Sequence, residues 1–159
     1  MEYVWLALLP LIVAFFAVIL IRTLAFKPKE VKRQEPKPVS FDKERAVKNL
    51  QALVQCKTIS YYSREQEDEA EFKKLIEALP TLYPNVFAKC SFLQMEDRAI
   101  LLKWEGKGHD APSVMMSHYD VVPVVESDWS KSPFEGIIED GELWGRGTLD
   151  TKVTMNAAL

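Results

Sequence analysis

From Tyr3 to Ile21 the chain runs for nineteen residues without a charged side chain. That length meets the roughly 18-residue minimum for an apolar helix to cross the hydrocarbon core of a membrane. The run shows no polar face at helical spacing, so it does not read as the core helix of a soluble domain. A cleaved secretory signal would carry positive charge ahead of a shorter apolar core, with small residues at a cleavage site. Here Glu2 precedes the run, and Arg22, Lys27, Lys29, Lys32 and Arg33 follow it. The pattern predicts an uncleaved single-pass anchor over residues 1–23, with membrane lipid as the partner of residues 3–21. Tyr3 and Trp5 suit a headgroup interface, and Pro10 is tolerable in a lipid-embedded helix.

Over residues 24–40 the composition shifts to Lys, Glu, Gln and Pro, and Pro28, Pro36 and Pro38 prevent regular helix. This segment reads as a tether. Its basic side chains can touch anionic headgroups, an effect that Glu30 and Glu35 dilute. The net charge of −3 and the absence of aromatic residues among these bases exclude nucleic acid as a partner.

Beyond the tether the pattern alternates helix and strand, which predicts an α/β domain over residues 41–159 with helices on the faces of a mixed sheet. Asp42 is placed to cap a helix carrying Val47, Leu50, Leu53 and Val54 on one face. A second helix carries Phe72, Leu75, Ile76 and Leu79 and is expected to end before Pro80. Strands are expected around residues 86–93, 99–104 and 114–117. Asp140-Gly141 predicts a two-residue hairpin turn within 134–144. The run from Arg64 to Glu69 reads as the solvated start of a helix. Cys56 and Cys90, the two cysteines, lack metal-binding spacing and define no disulfide framework.

Two acidic motifs lie in the last third: Ser117-His118-Tyr119-Asp120-Val121-Val122-Pro123, and Gly145-Arg146-Gly147-Thr148-Leu149-Asp150-Thr151-Lys152. On a strand alternate side chains share a face, so His118 and Asp120 point to one side. A neutral imidazole nitrogen can bind a divalent cation while a neighbouring carboxylate takes the other ring N–H and fixes the tautomer. Asp150 supplies a hard oxygen. Taken singly, each has a plainer reading: a histidine at a strand end can be a hydrogen-bonded structural residue, and an aspartate after a Gly-x-Gly turn can cap a helix. His109 sits in a turn-like polar segment, Lys107-Gly108-His109-Asp110-Ala111-Pro112, and is not expected to be a ligand.

These motifs, with Trp129, Pro133-Phe134-Glu135-Gly136 and Asp140-Gly141 between them, resemble the co-catalytic zinc peptidases that include carboxypeptidase S, the aminoacylases, the glutamate carboxypeptidases and succinyl-diaminopimelate desuccinylase. The carboxypeptidase S-like branch is the nearest. The resemblance is strong over residues 110–159 and weaker over 41–109. It implies two divalent metal ions, zinc by family, with His118 a ligand of one and Asp150 the bridging carboxylate. Asp120 is implied as the catalytic-site carboxylate that orients His118. It also implies hydrolysis of an amide bond in small peptides or N-acyl amino acids bearing a free carboxylate, with a glutamate base activating water. In that family the base and the remaining ligands lie downstream, so the chain reads as the N-terminal portion of a di-zinc exopeptidase, inactive by itself. The family's lid domain, absent here, implies a homodimer. The alternative is a catalytically inactive, membrane-tethered pseudoenzyme or binding module, and downstream sequence separates the two. Orientation stays open: the basic flank favours a cytoplasmic domain, while several relatives act in vacuolar or secreted spaces.

Carbonate extraction of a tagged protein is expected to leave it in the membrane pellet with residues 3–21 intact. Soluble protein whose N-terminus begins after Ile21 would show a cleaved signal instead.

Overall fold

The structure, a computed structural model, describes residues 2–28, 38–108 and 111–159. Most of the expected tether and His109 lie outside these residues, as do the side chains of Tyr3 and Trp5. The chain divides into two compact units, Met1–Val39 and Ser40–Leu159.

The first unit holds helix α1 (Glu2–Ala25), with Pro10 inside it. Its 24 residues correspond to about 36 Å at 1.5 Å per residue, more than the ~30 Å hydrocarbon core. Leu8–Ala25 is long and apolar enough to cross a membrane by length and composition, and its side chains are exposed.

In the second unit, helix α2 (Lys43–Val54) starts where Asp42 accepts the Arg45 N–H at 3.0 Å, a cap worth about 1 kcal/mol. Its buried face is Asn49, Leu53 and Val54. Val47, expected on that face, is instead 42% exposed. Asn49 replaces it because its amide, together with the Arg45 guanidinium, binds the Leu82 carbonyl at 2.9 and 3.1 Å. Those bonds close the end of the next long helix, α3 (Glu69–Leu82), which Asp68 caps at the Ala70 N–H. The expectation that α3 stops before Pro80 fails. Proline already has a helical φ and forfeits one backbone bond, while the extra turn brings Tyr83 into the core and is closed by Tyr83 N–H to Leu79 O at 2.8 Å.

Pro84 then begins a short helix, α4 (Pro84–Lys89). This corrects the expectation of a strand from 86: proline at the first helical position is pre-set for a helix, and Val86 and Phe87 pack on the core from it. Strand β1 (Ser91–Gln94) pairs antiparallel with β2 (Ile100–Lys103), with Phe92 opposite Leu102. A second ribbon, β3 (Ile137–Glu139) and β4 (Glu142–Trp144), turns at Asp140 (φ 51°) and Gly141 (φ 82°), the two positive-φ positions the dipeptide foretells. The last helix is α5 (Val153–Ala158).

The core gathers Leu53, Cys56, Leu75, Leu79, Tyr83 and Met155. The Tyr83 hydroxyl donates to Asn156 Oδ1 at 2.7 Å, and the Asn156 amide donates to Ala46 O at 3.1 Å, tying α5 to both earlier helices. The fold class is α/β, but among the described residues the strands form two separate ribbons rather than one mixed sheet. Residues 114–117 do not form the expected strand. Val114, Met115 and Met116 are 76%, 78% and 83% exposed, and no ladder partner flanks them among the described residues. Pairing begins only at Val121, in a parallel bridge with Ile59.

The acidic run also differs from expectation. Arg98, at φ 68°, grips Glu67 at 2.6 Å and also Glu69, and its guanidinium stacks 3.7 Å from the Phe72 ring centroid. Glu67 is thereby 8% exposed rather than solvated. Hydrogen bonds from Arg98 hold both carboxyls below their ordinary pKa. A depressed carboxylate contributes stability that is present above the unfolded pKa of about 4.3 and lost as pH falls through the folded value. The urea midpoint should therefore drop between about pH 5 and pH 3, and drop less in Arg98→Met.

Candidate metal site

The stretch from Tyr119 to Val121 is fixed from beneath by the chain that follows α2. The buried Thr58 hydroxyl donates to Tyr119 O, Val121 N–H donates to Thr58 O at 2.8 Å, and Ser60 N–H donates to Val121 O at 2.9 Å. Tyr119 turns towards the core, with its hydroxyl on Arg98 O and its ring 6.2 Å from that of Phe72. His118 and Asp120, on either side of it, project outwards together.

His118 Nδ1 lies 3.1 Å from Asp120 Oδ1 and 3.1 Å from the Asp120 carbonyl oxygen. His118 Nε2 lies 3.1 Å from Asp150 Oδ1. The side chains of His118, Asp120 and Asp150 are 53%, 43% and 90% exposed, so the cluster is open. Burial acts to lower the imidazole pKa, but the bond to the Asp120 backbone, the bond to Asp150 and the charges of both carboxylates outweigh it and hold the pKa above its ordinary value.

Asp150 arrives on a tightly packed turn. Gly145 is obligatory for space, because a Cβ there would sit 2.5 Å from Val54 Cγ1. Gly147 has φ +88°, and a Cβ would meet Val121 Cγ1 at 2.6 Å. Arg146 N–H donates to Pro133 O at 2.7 Å, and Lys152 N–H reaches back to Gly147 O at 2.8 Å. Within the turn Asp150 (φ −122°, ψ 91°) and Thr151 (φ −143°, ψ 32°) are not helical, and the peptide bond between them is cis. Asp150 is not a helix cap: α5 is preceded by Lys152 with no side-chain cap.

Two of the three residues are a fitting donor pair for a divalent cation. With Nδ1–H donated to Asp120, the Nε2 lone pair faces a carboxylate oxygen, and two acceptors stand so close only with a proton or a cation between them. Their 3.1 Å separation is close to the roughly 3.3 Å between two ligand atoms of one tetrahedral zinc. The fit is incomplete, since among the described residues no group of three or more His, Cys, Asp or Glu is disposed to hold a metal ion. Two supporting residues went unassigned by sequence reasoning, Thr58 and Lys152. Lys152 is wholly buried, with Nζ on Leu53 O at 2.8 Å and Cys56 O at 2.6 Å. Its place at the end of the second motif was the one available signal.

Residues 114–159, which contain all three clustered side chains, match the family described as Peptidase family M20/M25/M40. This stretch belongs to the M20 peptidase family. Over 147 residues it is 33% identical to the N-fatty-acyl-amino acid synthase/hydrolase PM20D1 of Homo sapiens, covering 87% of this chain and 28% of that protein. Over 159 residues it is 29% identical to the probable carboxypeptidase S-like 2 of Dictyostelium discoideum, covering 94% and 31%. A 56-residue stretch is 41% identical to the succinyl-diaminopimelate desuccinylase of Roseobacter denitrificans, covering 35% and 15%. The chain thus spans less than a third of the length of these relatives.

Within the globular unit Gly147→Ala is expected to cost more than Gly141→Ala. Both positions have positive φ, costing about 1–2 kcal/mol for a residue with a Cβ. Only Gly147 adds a collision, for nothing lies within 4 Å of a Cβ at Gly141. Thermal melts of the two variants measure the difference.

Proposed function

We propose that this chain carries part of a two-zinc centre that hydrolyses amide bonds in small peptides or N-acyl amino acids, held at a membrane by α1. The observation that carries this reading is the alignment of Asp120, His118 and Asp150, with each ring nitrogen of His118 3.1 Å from a carboxylate oxygen. On this reading residues 41–159 are the N-terminal part of a mixed-sheet di-zinc exopeptidase domain, and a homodimer forms through a lid domain of the whole protein. Substrate class is taken from relatives, one named for N-fatty-acyl-amino acids and one as a carboxypeptidase.

His118 Nε2 and Asp150 would hold the metal, Asp150 as the carboxylate shared between two ions. When bound, a divalent cation supplies Lewis acidity that polarises a carbonyl and acidifies water. Asp120 accepts the Nδ1 proton, fixes the tautomer and makes Nε2 more basic; loss of such a partner typically weakens metal binding 10–100-fold. The exposure of Asp150 leaves its carboxylate accessible to ions and substrate. The second reading, a tethered binding module without catalysis, draws on the two-donor set.

Zinc titration of the 159-residue chain tests the assignment. His118→Ala and Asp150→Asn should abolish the weak binding expected of the unsubstituted chain, while Asp120→Asn weakens it roughly 10–100-fold with the fold retained. Binding untouched by His118→Ala would remove the metal assignment. With two donors where a catalytic zinc ordinarily has three protein ligands, turnover of dipeptides or N-acyl amino acids by these residues alone should be undetectable. Zinc-dependent turnover abolished by His118→Ala would overturn the need for further ligands.

A further inference from the structure

The stretch Leu53–Ser60 touches both halves of the site. On the Asp150 side, the buried Lys152 ammonium binds Leu53 O and Cys56 O at 2.8 and 2.6 Å, while its backbone N–H closes the loop on Gly147 O at 2.8 Å. On the His118 side, the buried Thr58 binds Tyr119 O through its hydroxyl and Val121 N–H through its carbonyl, and Ser60 adds a bond to Val121 O. The stretch is itself immobilised, with Leu53, Val54 and Thr58 fully buried and Cys56 3% exposed.

Asp150, by contrast, holds nothing in place. Its side chain is 90% exposed, its backbone is not helical, and among the described residues its carboxylate bonds only to His118. The 3.1 Å approach of His118 to Asp150 therefore follows from where each one's neighbours are anchored. Both anchors lie within eight residues, on chain whose Leu53, Val54, Cys56 and Thr58 are buried, where small displacements are costly.

We propose that Leu53–Ser60 is the jig that spaces His118 from Asp150, acting through two positioning residues, Thr58 and Lys152. Neither touches the donor atoms. Thr58 acts through the Tyr119 and Val121 peptides that bracket Asp120, and Lys152 through the base of the loop that presents Asp150. The proposal rests on the metal reading only where zinc is used to read it.

The test uses the full 159-residue chain in detergent micelles, with His118→Ala to assign the ring signals and Asp150→Ala as the reference for a lost contact. In the metal-free chain, Thr58→Val and Lys152→Met should move the His118 ring nitrogen resonances towards their positions in Asp150→Ala. Zinc affinity should fall about tenfold or more. Thr58→Ser, which restores the hydroxyl alone, should match the unsubstituted chain on both readouts. A general loss of packing would not be repaired by that one oxygen. Circular dichroism checks folding, and if Lys152→Met does not fold, the Thr58 pair decides. Unchanged ring resonances and zinc affinity in a folded Thr58→Val would overturn the jig. Failure of the unsubstituted chain to bind zinc through His118 would overturn the metal reading instead, with the ring resonances still deciding the jig.

Discussion

A single buried ammonium ties the last motif of this chain to its first core helix. Lys152 is fully enclosed, and a lone charge in such surroundings would cost several kcal/mol. It is tolerated because Nζ meets two carbonyl oxygens, those of Leu53 and Cys56, where α2 gives out. Each carbonyl also accepts a backbone N–H, Leu53 O from Cys56 and Cys56 O from Thr58, and the end of α2 carries the negative end of the helix dipole, which favours a cation there. Burial still pushes the Lys152 pKa down to about 8. Remove the ammonium and the end of α2, the glycine turn and the presentation of Asp150 lose their common support.

The remainder of the globular unit encloses this junction, with Lys152 and Leu53 fully buried. Leu53 of α2 and Leu75 and Leu79 of α3 share one core cluster, to which α5 adds Met155. The polar bonds that cross the core, Tyr83 to Asn156 and Asn156 to Ala46, are paired at both ends, as burial demands. At the opposite margin Arg98 joins the acidic run to the β1–β2 connection, and its carbonyl takes the Tyr119 hydroxyl. Core and site are thus also linked through Tyr119, whose neighbours on either side are the histidine and the carboxylate.

What could be read beforehand follows the range of the forces involved. The caps at Asp42 and the turn at Asp140-Gly141 are decided within four residues, by a side-chain oxygen near free amides and by two positions with positive φ. They were legible. The end of α3 was not, because Pro80 is outweighed by burial of Tyr83 and by bonds from Arg45 and Asn49, more than thirty residues away. Strand formation at 114–117 failed for a related reason. Alternation and apolar composition describe what a strand would bury, but a ladder needs a partner, and the first one here is Ile59 at Val121.

His118, Asp120 and Asp150 were singled out by motifs that resemble a known family together with their residue types, since a ring nitrogen and carboxylate oxygens are chemistry carried by side chains themselves. The membrane-length apolar run is of the same kind, a property of composition and length. Thr58 and Lys152 were beyond reach, as a threonine after a helix and a lysine after an aspartate acquire meaning only when the chain folds back 61 and 99 residues to bring donor to acceptor. Sequence by itself determined which groups could do chemistry. Tertiary structure alone decided that they meet, because a 3.1 Å approach between residues 32 apart is set by packing and buried hydrogen bonds that no local pattern encodes.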